Sequence, residues 1–215
     1  VDEQGRFIHP DRLMAVIAAD VLVDRRDGTE AERTVFFDVK CSMALEEAIL
    51  SSGGVPKMVR TGHSFMKREL RSNPEAVMAG EMSGHFFLHD RWPGFDCSLY
   101  NAARLLEIIG RDPAPNDGGV SFSQRFTNLP DYPSTDETKI PLVGEREETM
   151  MAVEGAFADM EKSTVDGIRV RYPDGWYLCR PSNTEPILVM RAEGRDDSAL
   201  EAIITDVNAR IGHML

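Results

Sequence analysis

A chain of 215 residues, 42% of them hydrophobic, is long enough to bury one large core or two ordinary ones and is expected to be a soluble globular protein. Its formal net charge of −12, with no dense cluster of Lys and Arg, argues against a nucleic-acid partner. No run approaches the roughly 18 to 20 apolar residues that cross a bilayer, so no membrane partner is expected.

The chain begins with Val1 rather than Met, and "VDEQGRFI" reads as the tail of a strand and hairpin, which predicts a fragment of a longer polypeptide. Residues 10 to 24, "PDRLMAVIAADVLVD", start on Pro and Asp, continue with helix-compatible apolar residues and stop before the polar "RRDGTEAER". A helix and a turn are predicted. "TVFFDV" (34 to 39) is β-branched and aromatic and predicts a strand, followed by a helix over "CSMALEEAILSSGG" that Gly53 and Gly54 stop. The unit repeats: "VPKMVRT" (55 to 61) precedes "HSFMKRELRS", and "AVMAG" (76 to 80) precedes a short segment "HFFLHD" and a helix over "DCSLYNAARLLEIIG" (96 to 110). Alternating strands and helices predict an α/β domain with a mainly parallel, layered sheet.

"RDPAPNDGG" (111 to 119) breaks both periodicities and predicts a boundary between a domain at 10–112 and another at 120–215. Residues 121 to 138, polar and interrupted by proline, are expected to be mostly irregular. Then come "KIPL", a helix over "EREETMMAVEGAFADME", the strands "GIRVRYP", "GWYLCRPS" and "PILVMRAEG", and a closing helix over "DSALEAIITDVNARIG". Strands joined by short turns predict a smaller α+β domain with an antiparallel sheet and helices on one face.

In an open parallel sheet, ligands bind beyond the carboxyl ends of the strands. "FFDV" runs into Lys40, "MVRTG" into His63, and "VMAG" into Glu81, Ser83 and His85, so parallel strands would bring five polar side chains to one rim. Glu81 can accept two sugar hydroxyls, Ser83 and His85 can donate or accept, and Gly80 and Gly84 let the backbone approach a ligand. Taken singly, His63 can equally start a helix, Lys40 can be a solvated surface cation, and the glycines can merely shape a turn. A second cluster is "RPSNTEP", in which Arg180 offers a planar fork for phosphate oxygens and Ser182, Asn183 and Thr184 add donors. An ordinary hairpin turn with Arg180 paired to Glu185 fits the same spacing. No metal site is visible: Asp20, Asp24, Glu145, Glu147 and Glu148 lie on predicted helices, where solvated acidic faces are the usual explanation. Cys41, Cys97 and Cys179 are odd in number, far apart and in no metal-ligand spacing, so reduced thiols are expected, and the lack of a basic-then-apolar signal pattern at the amino end predicts a cytoplasmic location.

With these residues in place, the chain resembles the α-D-phosphohexomutases, in particular the bacterial phosphomannomutase/phosphoglucomutase branch. "PDRLMAVIAADVL", "DVKCS", "TGHSFMK", "GEMSGH", "RWPGFD", "AARLLEI", "DGIRVRYPDGW" and "RPSNTEP" occur in the family's order from end to end. The one departure is "GFDCSLY", where Cys97 and Ser98 replace a more polar or glycine-containing stretch. The resemblance implies a four-domain isomerase of carbohydrate metabolism, a phosphoprotein that interconverts hexose 1-phosphate and hexose 6-phosphate of mannose or glucose through a bisphosphate. Its active-site phosphoserine would lie in the first domain and its Mg2+ loop in the second, so that Mg2+ is bound by the missing preceding domain and not by this chain. Residues 1–9 would then end the second domain, 10–112 would form the third and 120–215 the fourth. By the same resemblance, Glu81 and Ser83 hold sugar hydroxyls, and Arg180, Ser182, Asn183 and Thr184 hold phosphate. Lys40, His63 and His85 line the cleft, with Lys40 and His63 as catalytic candidates for charge stabilisation or proton transfer. The fragment alone is expected to be inactive. Two alternatives stand beside this: a non-catalytic phosphosugar-binding module, and a phosphoglucosamine mutase, against which Met82 and Asn183 argue.

Overall fold

In the computed structural model, residues 1–113, 117–142, 144–182, 184–212 and 214 are described. They divide between two units, Val1–Asp131 and Tyr132–Leu215. The first runs α1 (Pro10–Val23), β1 (Thr34–Asp38), α2 (Met43–Ser51), β2 (Val55–Val59), α3 (His63–Ser72), β3 (Met78–Gly80), β4 (Phe86–Leu88) and α4 (Ser98–Gly110). β1 is buried at all five positions, which requires cover on both faces of the sheet. Its side chains alternate accordingly. Val35 and Phe37 join Met14, Ile17, Val21 and Leu22 of α1, Leu45 and Ile49 of α2 and Ile108 of α4 in one core. Phe36 points the other way, into a second core with Met66 and Leu70 of α3, Ala79 and Phe87.

The sheet order is β2-β1-β3-β4, with β1 parallel to both β2 and β3 and β4 antiparallel to β3. Pro56 is tolerated in β2 because this strand is at the edge of the sheet. Ser42 caps α2 by accepting the Ala44 N–H, a local bond that fixes where the chain leaves β1 and enters the helix.

Asp20, expected on a solvated helix face, instead joins a charged cluster around the buried guanidinium of Arg104. Arg104 meets Asp20 at 2.9 Å, Asp90 at 3.0 Å and Glu107 at 2.6 Å, tying α1 and the segment after β4 to α4. Arg91 and Arg111 extend the cluster through Glu107 and Asp20.

The first unit ends at Asp131, not within 111–119, whose residues 114–116 lie outside the described set. Arg12 on α1 donates to the carbonyls of Phe126 at 3.4 Å, Leu129 at 3.2 Å and Pro130 at 2.7 Å, and Arg125 pairs with Asp112 at 2.5 Å. Residues 120–131 are thereby tied back to the first unit, and their only regular element is a short 3-10 turn, Ser123–Phe126. Residues 1–9 belong to the same unit; the Ser123 N–H donates to the Glu3 carboxylate at 3.1 Å.

The second unit runs β5 (Thr138–Pro141), α5 (Arg146–Ala156), β6 (Lys162–Ser163), β7 (Ile168–Tyr172), β8 (Gly175–Pro181), β9 (Ile187–Gly194) and α6 (Asp197–Ile211). All pairings in its five-stranded sheet, ordered β5-β9-β8-β7-β6, are antiparallel. Alternate residues Ile168, Val170, Tyr177, Cys179, Leu188 and Ala192 face α5 and α6 and pack with Val153, Phe157, Ile203, Val207 and Ile211. On the other parity, the Arg169 guanidinium lies 4.0 Å from the Trp176 ring centre, and the Trp176 indole N–H donates to Glu193 at 2.9 Å. Among the described residues no helix is long and apolar enough to cross a membrane, and Cys41, Cys97 and Cys179 are thiols rather than disulfide partners.

The Arg104 cluster yields a stability prediction. Arg104→Met removes the buried cation shared by three partly exposed carboxylates and should destabilise the first unit by about 2 kcal/mol, less than the loss of one partner from a fully buried ion pair. Urea unfolding followed by Trp92 fluorescence, which reports the first unit, should show the shift while Trp176 emission, which reports the second, does not. An unchanged Trp92 transition would show the cluster to be energetically neutral.

Candidate functional site

Parallel registry places the ends of three strands side by side. Asp38 at the end of β1 is level with Val59 of β2, and Phe37 is level with Gly80 at the end of β3. The segments leaving these strands carry Lys40, His63, and the group Glu81, Ser83 and His85.

"GEMSGH" proves to be the hairpin between β3 and β4. Gly80 pairs with Phe86, the Glu81 N–H donates to the His85 carbonyl at 3.0 Å, and the Gly84 N–H donates to the Glu81 carbonyl at 2.9 Å. Its two glycines have different reasons. A Cβ on Gly80 would lie 2.5 Å from the Met14 sulfur and 3.1 Å from a Phe86 ring carbon, so the glycine lets α1 pack closely against this strand end. Gly84 has φ of +89°, and the tight turn demands it.

The hairpin sets Glu81 and His85 opposite each other across its neck. Glu81 is 2% exposed, whereas Ser83 and His85 are exposed. One Glu81 oxygen accepts the Gly62 N–H at 2.6 Å; the other is 3.6 Å from His85 Nδ1, which is 3.0 Å from the Ser83 hydroxyl. Gly62 is the N-cap of α3, so the Glu81 carboxylate sits at a helix amino end, where exposed N–H groups favour negative charge. His63, the first helical residue, is exposed, with its ring centre 6.2 Å from that of His85. Burial raises the Glu81 pKa above the usual carboxylate value; the Gly62 N–H opposes this, the charge of Asp38 reinforces it, and His85 and Lys40 oppose it again. The structure thus brings Lys40, His63, Glu81, Ser83 and His85 to one rim of the first unit. A largely buried acceptor with exposed donors around it suits recognition of hydroxyl groups.

The second cluster is built differently. Arg180, near the end of β8, is buried and donates from Nε to Asp166 at 2.8 Å; Asp166, not Glu185, is its carboxylate partner. This bond uses one of the guanidinium's five donors and fixes its plane. The Ser182 hydroxyl accepts the N–H groups of Thr184 at 3.3 Å and Glu185 at 3.2 Å, so it shapes the turn from within. Arg146, in the first turn of α5, donates to the Ser182 carbonyl at 2.8 Å. Ser182 and Thr184 hydroxyls lie 3.5 Å apart, and Asn183 lies outside the described residues. Among the described residues no group of three or more His, Cys, Asp or Glu could hold a metal ion.

Sequence reasoning did not single out Asp38, Thr61, Gly62, Asp166 or Arg146. Asp38 alone left a signal, a carboxylate inside the apolar run "TVFFDV", which marks a buried charge with partners elsewhere in the chain. The pairing of Arg180 with Asp166 spans 14 positions and leaves no local pattern.

An α/β/α unit with a polar hairpin at its strand ends, followed by an antiparallel unit with an arginine-bearing hairpin, is the arrangement of the C-terminal half of a phosphohexomutase. Residues 9–130 match the family model described as phosphoglucomutase/phosphomannomutase, alpha/beta/alpha domain III, and residues 137–210 match the phosphoglucomutase/phosphomannomutase C-terminal domain. The chain is 40% identical over 208 residues to a phosphomannomutase/phosphoglucomutase of Pseudomonas syringae pv. tomato, covering 94% of this chain and 42% of that protein. It is 41% identical over 216 residues to a phosphoglucomutase of Neisseria meningitidis serogroup A, covering 98% and 44%. Among solved structures, a phosphoglucomutase/phosphomannomutase family protein of Burkholderia thailandensis superposes with a TM-score of 0.82 at 37% identity, covering 97% of this chain and 42% of that one. The chain belongs to the phosphoglucomutase/phosphomannomutase family and spans less than half the length of these relatives.

The Glu81 environment has a pH signature. Because the folded pKa is raised above the ordinary value of 4.5, the folded state holds this proton more tightly than the unfolded state does. The contribution of Glu81 to stability is therefore complete below that value and is lost as pH rises through the raised folded pKa. Glu81→Gln keeps an oxygen for the Gly62 N–H but cannot ionise. Its stability relative to wild type should thus improve from pH 4 to pH 7 in urea melts. A difference that stays constant over that range would refute the assignment.

Proposed function

We propose that this chain is the substrate-holding half of a phosphomannomutase/phosphoglucomutase, an isomerase acting on mannose or glucose phosphates. The observation that carries the proposal is Glu81: a buried carboxylate anchored by the Gly62 N–H at 2.6 Å, beside the exposed Ser83 and His85 on one hairpin. Such an anchor costs stability in a plain turn and is explained by vicinal hydroxyl groups that it accepts.

On this proposal Glu81 and Ser83 grip the sugar's hydroxyls from the first unit, and Arg180, Ser182, Asn183 and Thr184 receive a phosphate in the second. His85 faces the sugar. Lys40 and His63 stand at the same rim, where a cation or an imidazole can offset charge or move a proton at the reacting hydroxyl. A mutase must hold its sugar in two orientations, since phosphate is given to one hydroxyl and recovered from another. Mg2+, which would neutralise charge on the transferring phosphoryl group, is on this proposal held by a preceding domain. The described residues of this chain offer it no ligand cluster, so no step through the metal is assigned to them. The setting proposed is the cytoplasm, with a small phosphosugar as partner rather than nucleic acid or membrane.

Calorimetric titration of the chain with mannose 1-phosphate tests this. The wild type should bind. Arg180→Ala should weaken binding by about 30-fold or more, the loss expected when one partner of a buried charged hydrogen bond is truncated. Arg180→Lys, which keeps a cation against Asp166, guards against loss of the fold and should bind with intermediate strength. A folded wild-type chain that does not bind, or binding that Arg180→Ala leaves unchanged, would overturn the proposal. Turnover of mannose 1-phosphate by this chain alone would overturn the division of roles.

A further inference from the structure

We infer that Asp38 is the positioning residue of the sugar-recognition rim, the single carboxylate that ties together the three strand-end segments on which the candidate site groups stand. Asp38 ends β1 and is fully buried. Its Oδ1 accepts the Met82 N–H at 3.3 Å and the Cys41 thiol at 3.1 Å, and its Oδ2 accepts the Thr61 hydroxyl at 3.2 Å. These partners lie 44, 3 and 23 positions away in sequence, one on each segment that leaves a parallel strand.

Each partner neighbours a site group. Cys41 follows Lys40, Thr61 precedes His63 by two residues, and Met82 follows Glu81. Beside this junction stands a second rung, the Gly62 N–H on Glu81 Oε1. Thr61 and Gly62 on one segment therefore face Met82 and Glu81 on another, joined through Asp38 and directly. Gly62 also opens α3, so the junction sets where that helix starts and where His63 stands relative to Glu81 and His85. A carboxylate suits this task, because its two oxygens offer about four acceptor positions and hold N–H, O–H and S–H donors at once. The proximity of Asp38 also reinforces the rise in the Glu81 pKa that burial begins, while His85 and Lys40 oppose it. Asp38 touches no substrate in this scheme and acts through Glu81 and His63.

The inference rests on the proposed function for its consequence in binding but not for its geometry, and the experiment separates the two. In the chain as it stands, Asp38→Ala and Asp38→Asn are compared with wild type by three readouts: the Gly62 amide resonance and its exchange, the titration of the Glu81 side-chain carboxyl by carbon NMR, and calorimetric affinity for mannose 1-phosphate. Asp38→Ala should shift the Gly62 amide, speed its exchange and weaken binding about 10-fold or more, as misplacement of anchoring groups does. Asp38→Asn keeps the shape and one acceptor oxygen; it should lose less affinity and should move the Glu81 titration to lower pH. A folded Asp38→Ala with an unmoved Gly62 amide and undiminished affinity would overturn the inference. Should Asp38→Ala fail to fold, Asp38→Asn decides: an unmoved Glu81 titration overturns the inference. If wild type does not bind mannose 1-phosphate, the functional proposal fails, while the Gly62 and Glu81 resonances still decide the role of Asp38.

Discussion

The parallel pairing of β1 with both of its neighbours is the constraint on which the first unit depends. Parallel strands leave the sheet at the same edge, so the segments after Asp38, Val59 and Gly80 must emerge together. Burial enforces this pairing. β1 has apolar residues on both faces, and only helices crossing over each face can cover Phe36 on one side and Val35 and Phe37 on the other. Reversing β3 would send its hairpin to the opposite edge and leave Glu81 without Gly62. The antiparallel β4 then adds a hairpin to a parallel sheet and sets Glu81 across the loop neck from His85.

The two candidate binding elements solve the burial of charge in opposite ways. Arg180 is neutralised by an equally buried partner, Asp166, so its guanidinium is held in place with its charge offset. Among the described residues Glu81 has no buried cation of that kind beside it, only the exposed His85 with Nδ1 3.6 Å away. It relies on one short N–H bond at the start of α3 and on more distant help from His85 and Lys40, which does not overcome desolvation. The first arrangement is that of a stable structural pair that can also meet an anion. The second keeps a carboxylate short of donors, and that shortage is what hydroxyl groups can relieve.

The sheet of the first unit is legible in the sequence because hydrophobic periodicity is local, and the polar residues just beyond each apolar run mark the strand ends. The division between units is not legible in the same way. Pro and Gly in 111–119 mark a break in regular structure, but the unit is closed by Arg12 reaching carbonyls near residue 130, a bond across more than a hundred positions. Asp20 looks like part of a solvated helix face for the same reason, since its partner Arg104 lies 84 positions away. "GEMSGH" stands out as unusual in the sequence, yet the partners that fix its shape, the Gly62 N–H and Asp38, lie on other segments.

These separations have a consequence for how such a site can change. Glu81 is locked by Gly62, and Met82 by Asp38 through its backbone N–H, so the hairpin's anchors are fixed by bonds that other segments share. Ser83 and His85 are exposed, and their 3.0 Å bond is to each other, within the hairpin itself. A substitution at an anchor disturbs several segments at once, whereas a substitution at the tip alters only what the hairpin offers to a ligand. On the proposed function, discrimination between closely related sugars, which differ in the placing of a hydroxyl, therefore falls to the tip. The buried anchors beneath it hold the hairpin in place whatever the tip presents.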